Sequence, residues 1–392
     1  MPTKPVGSAW WRREPLSLPY ADQVPDLARL LEEGPDDHPF APADPSRLVD
    51  AAVHHGVGAY VVRALRSGRI ELPAVERSQL KWVTAEAALH SAVLRHELDN
   101  VADPVGEACG RPPLLLKGPA LGELFYRDRR LRPYYDLDLL VPRDRLAAAA
   151  QALEGRGYRR LEEFRPGYAA RHGHDVHLRR RVADRWVDVE LHWRVGDDPA
   201  TAVLSHAGLE RDAAFIEIDG ARLAVPAHPA HLLVVAVHLL SDREKRLCWV
   251  NDLALVSRSL DDATWSETFA LADELGLGWP LHRALDYAER HLGLDRSRPR
   301  APAPAPAWGP MRAVEELDLR ASPHLGRLAV LGWRERASFL RAVLVPTRAG
   351  LAGTVGRGDR AGTWRLVGRH ARRAMAGLAP KREPPGRRRE LR

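Results

Sequence analysis

The sequence predicts an α+β fold in which a cluster of short strands lies between two helical stretches. Three observations carry this. Before residue 110, apolar residues recur at helical spacing. Over 111–225, short apolar runs and alternating runs take over, separated by turn residues. From 228 to 294 helical runs return, richer in leucine and valine. With 392 residues, 45% of them hydrophobic, the chain can bury a sizeable core in one large or two ordinary domains.

Residues 1–110 form an N-terminal helical region. Leu27-Ala-Arg-Leu-Leu and Leu48-Val-Asp-Ala-Ala-Val each place apolar residues on one helical face. Asp44-Pro45 and Leu72-Pro73 mark helix boundaries. The spacing predicts one long helix over 85–102, leading into the Gly110-Arg-Pro-Pro turn. The core region, 111–225, opens with a strand at 114–116 that ends at Lys117-Gly118. A helix follows, then a strand carrying Asp136 and Asp138. A helix over 143–156 stops at Gly157 before a strand at 158–161. Strands at 176–182 and 186–193 are joined by Ala183-Asp184-Arg185, and 222–225 is a last short strand. The region 226–297 is a helical domain with runs at 231–240, 247–256, 265–275 and 281–292. Residues 298–310, RPRAPAPAPAWGP, read as an extended linker or loop. A C-terminal helical region, 311–380, has helical patches at 333–344 and 364–376. The tail 381–392, KREPPGRRRELR, is basic and is expected to be disordered.

Composition excludes several classes. Two cysteines, Cys109 and Cys248, support neither a disulfide framework nor a zinc site by themselves, so a reducing, cytoplasmic setting is expected. The first residues lack an apolar leader segment. The longest apolar run, 232–240, is interrupted by His238 and is too short to span a bilayer, so no membrane partner is expected. The net charge of +7 is spread along the chain as arginine and is partly terminal. It lacks the aromatic interleaving of a single-strand binding platform, which disfavours nucleic acid as a partner. The basic residues include only five lysines, at 4, 81, 117, 245 and 381. A lysine at 117 therefore stands out, as a compact point charge suited to a phosphate.

The chemistry concentrates in PPLLLKGPALGELFYRDRRLRPYYDLDLLV, residues 112–141. Alternation puts Asp136 and Asp138 on one face of their strand, roughly 7 Å apart. Their apolar neighbours call for a dry core, where two carboxylates repel unless neutralised. A divalent cation is the simplest neutraliser, and hard oxygen ligands suit Mg²⁺. The glycine at the end of the preceding strand lets backbone N–H groups approach a phosphate, and the next helix points its positive end there. Downstream, Trp186-Val-Asp-Val-Glu-Leu-His-Trp193 puts Asp188, Glu190 and His192 on one face and Val187, Val189 and Leu191 on the other.

Lys117-Gly118, Tyr126, Arg132-Pro133 and Asp136-x-Asp138, followed by an apolar strand, resemble the uncharacterised nucleotidyltransferase branch of the polymerase-beta-like nucleotidyltransferase superfamily. The acid before Leu-His-Trp, and His238, Asp252 and Trp265 in the helical region, extend the resemblance. It implies a polymerase-beta-like core, a mixed sheet with flanking helices, set between the helical regions. It also implies Mg²⁺ held by Asp136, Asp138 and Glu190, with Asp188 in reserve as the third carboxylate. In the two-metal scheme one ion activates an acceptor hydroxyl and the other holds the triphosphate. An NTP, with ATP favoured, gives up its nucleoside monophosphate and pyrophosphate leaves.

Lys117 and the Gly118 backbone are expected to cradle phosphates. Arg132 either adds charge there or pairs with Asp136 to orient it. The acceptor is a hydroxyl of a small molecule, peptide or protein. The helical domain is expected to wall its site, with His238, Lys245 and Asp252 as candidates. His174 and His177 read as surface histidines. Pro119 stands where the superfamily usually has serine, and a competing reading is a non-catalytic nucleotide-binding or regulatory module.

Overall fold

A computed structural model describes residues 18–32, 40–161, 173–196, 201, 203–241, 245–294 and 333–344. The linker at 298–310, the patch at 364–376 and the basic tail lie outside them. Two compact units are present. The first takes in the sheet and the helices on both sides of it in sequence. Of the second, the structure describes helix α13 (Trp333–Leu344), with Trp333 exposed and Phe339 buried.

In the first unit, helices α1 (Val24–Leu31), α2 (Pro45–His54), α3 (Gly58–Arg66), α4 (Ala74–His96) and α5 (Leu98–Cys109) precede the sheet. Their starts follow from the sequence. Asp44 caps α2 by accepting from the Arg47 N–H at 3.0 Å, and Pro45 takes the first turn, where a missing N–H costs nothing. The single helix expected over 85–102 is two helices. The chain breaks at Glu97, whose buried carboxylate takes hydrogen bonds from Tyr158 and Arg180. Helix α5 ends at Gly110, which has φ +68°.

Among the described residues the sheet has seven strands, in the order β3-β4-β5-β2-β1-β7-β6. These are β1 (Leu114–Leu115), β2 (Leu137–Leu140), β3 (Arg159–Arg160), β4 (Asp175–Val182), β5 (Arg185–His192), β6 (Ala214–Ile218) and β7 (Ala221–Val225). It is mixed. β2 runs parallel to β5 and antiparallel to β1, while β1 and β7 are parallel. The β6–β7 hairpin turns at Asp219-Gly220, both at positive φ, as an Asp-Gly turn requires. β6 is an edge strand with mostly exposed residues, and the sequence reading missed it, since only Ile218 on it is fully buried. β2 is buried along its length, and Leu137, Leu139 and Leu140 are wholly inaccessible.

Helix α6 (Pro119–Phe125) follows β1, and α7 (Leu146–Gly155) follows β2. A five-residue turn of helix, α8 (His206–Glu210), precedes β6. Helices α9 (His228–Ser241), α10 (Leu247–Ser259), α11 (Asp262–Glu274) and α12 (Gly278–Leu292) complete the unit. They belong to the same compact unit as the sheet. His231 on α9 donates through Nε2 to the Leu116 carbonyl at 3.1 Å, tying this helix to the end of β1.

A buried polar network joins α10 to the rest. Arg132 grips Asp252 with both arms, Nε to Oδ1 at 2.7 Å and Nη2 to Oδ2 at 2.8 Å. Tyr126 donates to the same carboxylate at 2.6 Å, and Asn251 donates to the hydroxyls of Tyr60 and Tyr126. All five side chains are buried. Losing one member of such a pair strands the other charge in a low-dielectric interior. Asp252→Ala is therefore expected to destabilise the protein by about 3–5 kcal/mol. Thermal or urea unfolding checks this, and a loss near zero would show that Arg132 finds another partner.

Candidate active site

β2 and β5 lie in parallel register with Asp138 opposite Glu190. On the other side of β5, Glu190 faces His177 of β4, and His192 faces Asp175. Period-2 geometry brings these side chains to one face of three neighbouring strands, while Val187, Val189 and Leu191 fill the opposite face. Adjacent strands are about 4.8 Å apart, so Asp138 and Glu190 present their charges side by side.

Three cationic side chains meet these acids. Lys117, just after β1, places Nζ 2.8 Å from Asp138 Oδ1. His192 Nε2 lies 2.9 Å from the same oxygen and 3.3 Å from Glu190 Oε2. His177 bridges outward, with Nδ1 3.4 Å from Glu190 Oε1 and Nε2 in contact with Asp175. His174 Nδ1 lies 3.3 Å from the other oxygen of Asp175. His177 is exposed, as the sequence reading has it, and still joins this chain of charges through Glu190 and Asp175.

The electrostatics follow. Burial alone would raise the Asp138 carboxyl, but Lys117 and His192 hold it well below the usual carboxylate range. Burial works against the Lys117 ammonium, and Asp138, then Asp136 and Glu190, keep it firmly protonated. Burial likewise opposes charge on His192, yet its bonds to Asp138 and Glu190 raise it to about 9. The bond to Asp175 raises His177 to about 9.

Asp136 lies one residue before β2, not within it. Burial and the neighbouring charges of Asp138 and Glu190 raise it to about 7. The segment leading to it is pinned at each residue. Arg132 Nη1 donates to the Pro133 carbonyl at 2.8 Å, the Tyr134 N–H donates to Ser91 Oγ at 3.0 Å, and His90 Nε2 donates to the Tyr135 carbonyl at 3.3 Å. Gly118 is wedged against the same segment. A Cβ there would lie 3.3 Å from Tyr134 Cβ and 3.6 Å from the Asp136 carbonyl, and its φ of +49° suits glycine.

The other predicted residues divide. His238 on α9 is partly buried and lies within electrostatic reach of Lys117 and Asp138. Burial and the charge of Lys117 push it well below the usual histidine range, and Asp138 partly opposes them. Its ring meets Trp249 edge-on, with centroids 4.9 Å apart. Lys245 is buried and adds its charge to that environment. Arg132 does not pair with Asp136, as one reading of the sequence had it. Its guanidinium is committed to Asp252, which thereby belongs to the buried network. Asp188 shares the face of Glu190 but lies two residues back along β5, opposite Arg179, which holds it, Nε to Oδ1 at 2.5 Å.

Asp138, Glu190 and His192 offer ligand atoms that all lie within 4.8 Å of one another, a donor set that fits a divalent ion. Sequence reasoning left out His192, although its parity with Glu190 was already a signal for it.

These shifts set a pH dependence. His192 gains a proton affinity on folding, from 6.5 to about 9, so its stabilising contribution is complete below pH 6.5 and fades as pH rises through 9. Asp136, raised from 3.8 to about 7, acts in the same direction at lower pH. Metal-free protein should lose Tm between pH 6.5 and 9.5, and His192→Gln should flatten that slope. Equal slopes for the two proteins would remove His192 from this account.

Neither a curated protein nor a solved structure matches the chain. The model of the uncharacterised nucleotidyltransferase family matches residues 41–293, from the helices before the sheet to the end of α12. Those residues carry the whole cluster around Asp138, so the chain belongs to the uncharacterised nucleotidyltransferase family, and nucleotidyl transfer is its class of chemistry.

Proposed function

We propose that this protein is a Mg²⁺-dependent nucleotidyltransferase that moves a nucleoside monophosphate from an NTP, with ATP favoured, to a hydroxyl acceptor and releases pyrophosphate. The observation that supports it most is the register of β2 and β5, which sets Asp138 beside Glu190 with the Lys117 ammonium on Asp138. Asp138 and Glu190 would hold the ion, with Asp136 completing the acidic edge. A divalent ion bound there supplies Lewis-acid activation of the acceptor hydroxyl and charge neutralisation at the phosphates.

The chain's own residues do the rest. Lys117 holds the Asp138 carboxylate in place and carries a positive charge that a triphosphate can share. Gly118 keeps the backbone low beside Asp136, leaving room for a phosphate where a side chain would intrude. His238 and Lys245 form the polar part of an acceptor wall on the α9 side. Asp252 serves that wall indirectly, by fixing Arg132 and α10. The acceptor is a small molecule, a peptide or a protein. Among the described residues no helix is long and apolar enough to cross a membrane. Both cysteines are buried and free, which accords with a cytoplasmic enzyme.

The direct test is incubation with α-labelled NTPs, Mg²⁺ and cell extract, following label transfer and pyrophosphate release. Mg-ATP binding without turnover on any acceptor would favour a non-catalytic module, in keeping with Pro119 offering α6 neither an N–H nor a hydroxyl at its start. Asp138→Asn keeps the side chain's size and removes its charge, and is expected to cut transfer by more than about 100-fold with the fold intact. Full activity in that variant would rule the mechanism out. Asp188→Asn should stay within a few-fold of wild type, while Glu190→Gln should behave like Asp138→Asn. The reverse pattern would make Asp188 the third carboxylate. Lys117→Ala should act chiefly on NTP affinity, visible as a raised KM.

A further inference from the structure

We propose that His192 is a nitrogen ligand of the metal held by Asp138 and Glu190, making this a mixed nitrogen and oxygen centre that prefers a first-row transition ion such as Mn²⁺ to Mg²⁺. The inference rests on the nucleotidyltransferase reading and refines it.

The geometry carries it. One ring nitrogen, Nε2, faces both carboxylates, 2.9 Å from Asp138 Oδ1 and 3.3 Å from Glu190 Oε2. Two ligands at right angles on an ion with bonds of about 2.1 Å lie about 3.0 Å apart. Nε2 therefore already stands at the spacing of a neighbouring ligand from each carboxylate, and the three residues offer atoms within 4.8 Å of one another. His192 is 1% exposed, so its ring cannot swing out to solvent to leave an all-oxygen site. The ring packs against His174, with centroids 5.4 Å apart, and Nδ1 has no hydrogen-bond partner among the described residues. The ring's polar contacts thus all run through Nε2 to the two acids. Register fixes this arrangement, because His192 follows Glu190 by two residues on the same face of β5.

The chemistry of the donors sets the preference. Mg²⁺ takes oxygen ligands almost exclusively and keeps much of its water. Imidazole suits first-row transition ions, and carboxylates suit Mn²⁺, so two carboxylates with one imidazole select an ion at home with both. Ion binding at Nε2 displaces one proton from the ring, which passes to solvent. Lys117 stays protonated on Asp138 or shifts toward a phosphate.

The test uses the full chain, without a histidine tag, stripped of metal and titrated with Mn²⁺ alone. Pulsed electron paramagnetic resonance should show coupling to a histidine nitrogen, and the signal should change with isotopic nitrogen in histidine. This measurement needs no variant. His192→Gln should keep a bound Mn²⁺, lose the coupling, and lose about 10-fold or more of the preference for Mn²⁺ over Mg²⁺ in competition. A bound Mn²⁺ that depends on Asp138 but shows no histidine coupling would overturn the proposal and leave the proposed function standing. Coupling that persists in a folded His192→Gln protein would also overturn it. No Mn²⁺ or Mg²⁺ bound by wild type, or binding unchanged in Asp138→Asn, would sink both.

Discussion

The parallel register of β2 and β5 is the constraint on which the rest depends. It puts two carboxylates, Asp138 and Glu190, shoulder to shoulder on a sheet face, and Asp138 is almost wholly buried. That placement is costly unless positive charge meets it from several directions. Lys117 arrives from the end of β1, His192 from the same strand as Glu190, and His177 from β4. The sheet order is what allows this. β1 and β5 flank β2, so a cation after one and an imidazole on the other converge on the same oxygen.

The two aspartates of Asp-x-Asp then differ in kind. Asp138 is inside the sheet and fully charged. Asp136 is just outside it, partly exposed, and balanced near neutrality by burial and by its acidic neighbours. Its position is set by the pinned backbone of 132–135 and by Gly118 rather than by a strand ladder. Structure and electrostatics thus make one carboxylate that is rigid and charged and one whose charge is adjustable.

Much of this was legible in the sequence. Strict alternation from Trp186 to His192 separates the core face from the polar face, and β5 follows it residue by residue. The mixed sheet between helical regions was legible for the same reason, because period two and period 3.6 leave different patterns. Asp136 was assigned to the strand because a four-residue apolar run does not mark where its ladder begins. The break at Glu97 was missed because it arises from tertiary hydrogen bonds to Tyr158 and Arg180, which leave no local mark. The partner of Arg132 was invisible too. A buried arginine can satisfy itself with any acid the fold delivers, and the acid that reaches it is 120 residues away.

That separation bears on how the chain is made. Arg132 and Tyr126 emerge from the ribosome well before Asp252 does. Until α10 is synthesised, the segment 132–136 lacks the anchor that holds one end of it, and a guanidinium destined for the interior must stay hydrated. The strands can collapse early, but the acidic edge cannot settle until the helices that follow have closed over it. Distant pairings of this kind slow folding, because chain entropy is spent before the contact forms. A fragment ending after β7 would therefore contain the carboxylates without the clamp that orients them. Vectorial synthesis makes the last helices of this unit the step that completes its acidic edge.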